Sequence, residues 1–166
     1  MNELSEAFKL LIGEMHHAEL GLSEVLPRAA EAARGSGMSS ALHEEVILCK
    51  GQAQRLIQVS QMAGSGLPEA TGGVLPQLLM ELISACSAAW SGDDVNWALI
   101  GARRRVAHYK IASYRVARSW AEILSPGSAV TLLEESLKEE ESRLAIWESF
   151  AEEGVRRNPR QLAYVS

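Results

Sequence analysis

Hydrophobic residues recur along the first thirty positions in steps of three and four: Phe8, Ile12, Met15, Leu22, Leu26. That spacing draws one face of an α-helix. The series has a single polar member, Glu19, set between Met15 and Leu22. A second series near the C-terminus, Leu133, Leu137, Leu144, Trp147 and Ala151, is broken in the same way by Glu140. A lone buried carboxylate costs several kcal/mol or takes up a proton. Each acid therefore needs a partner at its depth.

The same period predicts helices elsewhere, and strand-like alternation is absent. The first long helix spans about 4–34, with Asn2 or Ser5 as its cap and Pro27 as a potential kink. "GSG" at 35–37 stops it. A second long helix starts near Ser40, carries Leu42, Val46, Cys49, Ala53 and Leu56 on one stripe, and ends at the loop "AGSGLPEATGG", 63–73. A shorter apolar helix follows over about 74–90, closed by "SGDD". Asp93 or Asp94 caps the third long helix, whose stripe is Ile100, Arg104, Ala107, Ile111, Tyr114 and Ala121 and which reaches about Leu124. "SPG" turns the chain, and Ser128 caps a fourth long helix to about Glu153. Short links make two antiparallel hairpins, and a long connection with its own helix joins them. The fold class is all-α, a ferritin-like four-helix bundle with a long crossover containing a short fifth helix. The bundle occupies 1–155 and a polar tail 156–166.

A chain of 166 residues suits one domain with one sizeable core. Its net charge of -5 gives no reason to expect nucleic-acid or membrane partners. Arg103, Arg104, Arg105, Lys110, Arg115 and Arg118 do form a basic stripe with Tyr109 and Tyr114. The fourth long helix is correspondingly acidic, so we read both as solvated faces of opposite sign. No apolar run approaches the roughly 20 residues of a membrane span, and "MNELSEAFKL" lacks the marks of a secretory leader. Cys49 and Cys86 have no metal-type spacing and read as free thiols, which points to a cytoplasmic, reducing compartment. Trp90, Trp97, Trp120 and Trp147 exceed what the core requires and suggest a homodimer or a protein partner. No nucleophile triad, phosphate loop or cofactor fingerprint is present, which weighs against an enzyme.

A dinuclear iron or manganese bundle takes a glutamate from each of two helices and a Glu-x-x-His pair from each of the other two. The helix centres here offer Glu19 and Glu140, with Glu141 and His108 as further donors. Glu14 and His17 have the right spacing but lie off the stripe, and His16 and His43 read as surface residues. His108 sits beside the core stripe, within reach of a buried carboxylate. Three environments suit Glu19 and Glu140: solvent at the bundle edge, a retained metal, or an internal ion pair with Lys50 or an arginine of the third long helix.

Four stretches, "HAELGLSEVLPRAAEAA" (17–33), "GQAQRLIQV" (51–59), "VAHYKIASY" (106–114) and "LLEESLKEEESRL" (132–144), make the chain resemble the YciE/YciF-like family of stress-associated bacterial proteins. The resemblance covers about residues 8–153. It implies a ferritin-like bundle, a homodimer and no settled activity. It also implies ligand positions. Glu19 and Glu140 match retained acids, while the Glu-x-x-His pair of the second long helix falls on Ile47 and Lys50. The remaining positions fall on Ala107 and Leu144. The family's "HYEIASY" segment reads "HYKIASY" here, departing at one residue. On this resemblance we expect Lys50 to take the place of the metal, forming a buried cluster with Glu19 and Glu140. The expected function is then a bundle with a degenerate metal site and no cofactor, acting in a stress response by interaction. Two alternatives stand beside it. One is an iron- or manganese-binding oxidoreductase or oxidant-protection protein using Glu19, Glu140, Glu141 and His108. The other is a small-ligand binder using space left at Ala107.

Overall fold

The computed structural model describes residues 3–64, 66–69, 73–87, 90, 92–124 and 127–157. Five helices follow in order: α1 (Glu3–Ala32), α2 (Ser36–Met62), α3 (Leu75–Ala85), α4 (Asp94–Leu124) and α5 (Ser128–Arg157). α1 packs on α2 and α4 on α5 as hairpins; α1 also borders α4, and α2 borders α5. The long helices thus occupy the corners of a square. α3, carried by the crossover, lies against α1 and α4. Among the described residues no strand occurs.

The packing follows a four-three repeat. α1 buries Phe8, Ile12, Met15, Glu19, Leu22, Leu26 and Ala29; α2 buries Met38, Leu42, Glu45, Cys49, Gln52, Leu56 and Val59. α4 buries Arg103, Ala107, Lys110, Tyr114, Ala117 and Ala121, and α5 Ala129, Leu133, Ser136, Glu140, Arg143 and Trp147. Such seams let neighbouring helices interlock at a shallow crossing angle. Each seam places polar groups near its middle. The apolar core accordingly falls into two clusters: one around Leu26, Leu42, Leu99 and Trp147, the other around Phe8, Leu56, Tyr114 and Leu133.

Most boundaries follow the periodicity, with local exceptions. α2 begins at Ser36, four residues before the expected start. Within this turn only Gly35 has a positive φ (94°), and the side chain of Asn96 clamps the turn through two 2.8 Å bonds to the Arg34 backbone. α1 ends at Ala32, two residues before the expected 34, so residues 33–35 complete the reversal and Ser36 and Gly37 are helical. Pro27 lies inside α1, which continues to Ala32. α3 ends at Ala85 instead of near 90. α5 continues to Arg157, so residues 156 and 157, assigned to the tail, are helical. Ser5 is within α1, and the other proposed cap, Asn2, lies outside the described residues, as do Ser125, Pro126 and tail residues 158–166. The crossover seats on glycines of α1. A Cβ at Gly21 would come within 2.6 Å of Leu79, and one at Gly13 within 2.8 Å of Pro68. Among the described residues no helix is long and apolar enough to cross a membrane.

Candidate functional site

Glu19 and Glu140 both face the bundle interior, at 1% and 2% exposure. The cation between them is Lys110 of α4. Its Nζ lies 2.8 Å from Glu19 Oε2 and 2.6 Å from Glu140 Oε1. It also donates to Gln52 Oε1 at 2.8 Å and lies 3.9 Å from Cys49 Sγ. Tyr114 donates its hydroxyl to Glu19 Oε1 at 2.9 Å, and Gln52 Nε2 donates to Glu140 Oε1 at 3.1 Å. One residue from each of the four long helices, plus Gln52 and Tyr114, closes this layer. Gln52 also reaches Glu139, which Arg55 grips through two bonds of 2.8 and 2.6 Å at the bundle surface.

A second polar layer lies further along the axis. Arg103 Nη2 is 2.5 Å from Glu45 Oε2, and both are buried. Trp147 donates its indole N–H to the other Glu45 oxygen, which Arg143 Nε approaches at 3.6 Å. Arg103 also stacks over the Trp147 ring at 5.9 Å, and Arg143 donates to the Ala41 carbonyl at 2.5 Å and to Glu44 at 3.0 Å. Among the described residues the buried carboxylates are Glu19, Glu45 and Glu140 and the buried cations Arg103, Lys110 and Arg143. Their formal charges cancel.

Proton affinities follow from the burial and the pairing. Burial works against the Lys110 ammonium, but Cys49, Glu140 and Glu19 together hold its pKa above the ordinary lysine value. Burial pushes the Cys49 thiol far up, so it is neutral at physiological pH and the carboxylates supply the compensating charge. Glu140 is desolvated too, yet Lys110 and Arg103 hold it below the usual carboxylate range. Glu19 is raised, because burial and the nearby Glu140 outweigh Lys110 and Tyr114. The two acids are thus inequivalent: Glu140 is the firm anion, and Glu19 is the softer proton acceptor.

Lys50 was the expected amine, and this is corrected. Lys50 is exposed, about 100° round α2 from buried Cys49. Ile47, matched to its partner ligand position, is 73% exposed. The inward pair of α2 at i, i+3 spacing is instead Cys49 and Gln52. On α5 it is Glu140 and Arg143, while Leu144 is only half-buried. Ala107 is fully buried. His108 points to solvent, and Glu141 is exposed and paired with Arg115 at 2.7 Å. Neither joins the interior acids. Arg104 of the α4 stripe is half-exposed and pairs with Glu148; its neighbour Arg103 is the one buried. Among the described residues no group of three or more His, Cys, Asp or Glu side chains converges as a ligand set. The residues present do not fit a divalent ion, since Gln52 and Arg143 in the inward pairs are neither anionic nor imidazole donors and an ammonium stands between the two acids.

The family described as a domain of unknown function, DUF892, matches residues 3–159. The chain belongs to that family. Among DUF892-like proteins it is 29% identical to Protein YciF of Escherichia coli (strain K12) over 143 residues, 86% of each protein. The crystal structure of the E. coli stress protein YciF matches 95% of this chain, and this chain covers 100% of that one, with a TM-score of 0.89 at 26% identity. YcfI from Rhodopseudomonas palustris shares the fold, with a TM-score of 0.80 at 22% identity over 89% of this chain and 94% of its own. The amine at the centre of this DUF892 bundle is Lys110, the third residue of "HYKIASY".

Proposed function

We propose that this DUF892 protein is a stress-associated bundle whose interior ion network stands where a metal centre would be held, and that it works through its surface as an interaction protein. The observation that carries this is the Lys110 Nζ, 2.8 and 2.6 Å from two buried carboxylates. A compact ammonium supplies one positive charge and three donors to a space framed by Glu19, Glu140 and Gln52. A divalent ion there would meet the ammonium before it met enough oxygen ligands. The association with stress is carried over from the name of the E. coli relative. Two free thiols, one of them buried, suit a reducing, cytoplasmic setting. Trp90 and Trp97 are 43% and 37% exposed, which favours a homodimer or another protein partner, since exposed tryptophan is costly to leave in water and common at interfaces.

Titration with Fe(II), Mn(II) and Zn(II), read by calorimetry and by metal analysis after gel filtration, tests this. The expected result is no stoichiometric uptake by the parent. Stoichiometric binding that is lost on Glu19→Gln or Glu140→Gln substitution refutes it and restores a metal-dependent oxidoreductase. Light scattering across a concentration series tests the dimer separately.

A further inference from the structure

At the end of the bundle where α1 turns into α2, a cleft of about 780 Å³ opens between that turn, the start of α4 and the end of α5. Its size is in the range of small-molecule sites. Ile100 and Met38, both nearly buried, form the floor. Trp97 and Phe150 supply two aromatic walls. Neither ring is loosely placed. Phe150 packs on Trp147 with centroids 5.5 Å apart, and Trp97 lies so close to α5 that a Cβ at Gly154 would come within 2.9 Å of its indole. Three positions on its lining, 35, 37 and 154, are glycines and carry no side chain.

The charges around the cleft are unequally engaged. Glu153 is held by Arg157. Asp93 and Asp94 stand at the start of α4, where free amide groups offset them. The backbone of Arg34 is fixed by Asn96, but its guanidinium has no ion-pair partner among the described residues. Beside it, α2 starts without a side-chain cap, adding amide donors to the same wall.

We propose that this cleft binds an aromatic carboxylate, with the flat ring between Trp97 and Phe150 and the carboxylate on the Arg34 guanidinium. Trp97 and Phe150 offer faces for ring contact, and an arginine fork matches a planar carboxylate. The cleft shares no lining residue with the Lys110 cluster, and the proposal does not depend on that cluster's role.

Titration of the full chain with 1-naphthoate, followed by calorimetry and by the NMR signal of the Trp97 indole N–H, tests the proposal. One equivalent should bind and shift that signal. The uncharged analogue 1-naphthalenemethanol, and the Arg34→Met variant with the acid, should each bind at least about tenfold more weakly, as expected for a lost hydrogen bond to charge. Gly37→Leu should fill the cleft and abolish binding without unfolding, because a Cβ there meets only Phe150 at 4.0 Å. Equal affinity for acid and alcohol, undiminished binding by Gly37→Leu, or no saturable binding at millimolar naphthoate overturns it.

Discussion

Replacing Lys110 by Met removes the ammonium while keeping most of the volume. Glu19 and Glu140 then share a dry interior with no cation between them, although Tyr114 and Gln52 still donate to them. The cheapest relief is to protonate one carboxyl. From an ordinary value of 4.5, that costs about 3.4 kcal/mol at pH 7, at 1.36 kcal/mol for each pH step. Breaking a buried pair typically costs about 3–5 kcal/mol, so both routes agree. In a chain of this size the midpoint should fall by roughly 7–14 °C. The same reasoning fixes the pH dependence: each step towards acid removes about 1.4 kcal/mol of the deficit, which should nearly vanish by pH 4.5. Urea unfolding followed by tryptophan fluorescence, at pH 7 and pH 5, measures both. A Lys110→Met variant within about 0.5 kcal/mol of the parent at pH 7, or a deficit unchanged at pH 5, refutes the claim that this amine balances the two acids. Exchanging all three for apolar residues (Lys110→Met, Glu19→Leu, Glu140→Leu) should recover most of the loss, since a buried ion network often contributes no more than good packing.

Lys50→Ala should change stability by less than about 0.5 kcal/mol in the same assay, because the side chain is exposed. Tyr114→Phe should cost about 1–3 kcal/mol, the penalty for leaving the Glu19 oxygen without its donor. In pH titrations of stability, the raised Lys110 pKa contributes fully below its ordinary value of 10.5 and is lost as pH rises through its higher folded value. The lowered Glu140 pKa contributes above 4.5 and is lost as pH falls through its depressed value. Glu19, raised instead, works against Glu140 on the acid flank, and the alkaline decline should be smaller in Lys110→Met but not absent, because the raised Cys49 thiol contributes one of its own. Native labelling with a thiol reagent, followed by peptide mass spectrometry, should modify Cys86 before Cys49, because Cys49 is the more deeply buried of two thiols raised by burial.

The helices were legible because each long one carries a dense apolar seam, and so was the need for a partner at Glu19 and Glu140. The partner was not. Lys110 falls on the seam 103, 107, 110, 114, 117, 121, four or three residues from its neighbours, yet beside Arg103, Arg104 and Arg105 it looks like one more member of a solvated basic face. Glu45 and Gln52 on α2 are masked similarly: they keep strict step with Leu42, Cys49 and Leu56, but polar residues at such positions break the hydrophobic pattern that defines the seam. A strict four-three count made without regard to polarity finds Lys110, Glu45 and Gln52 together. Lys50 failed for a related reason. Its assignment rests on the family resemblance alone, and a shift of two positions on a helix turns a side chain by about 200°. Trp147 continues the α5 stripe, but its bond to Glu45 depends on which acid of α2 turns inward.

The division of the apolar core by charged layers also bears on alignment. Leucines and alanines at regular intervals would pack almost equally well if α4 slid along its neighbours by one turn, about 5.4 Å. After such a slide Lys110 would leave Glu19 and Glu140 stranded, and Glu45 would lose Arg103 and keep only Trp147 and Arg143 of α5. The interior charges therefore act as a ratchet tooth: they add little holding force, but they leave the four rods a single notch in which to engage.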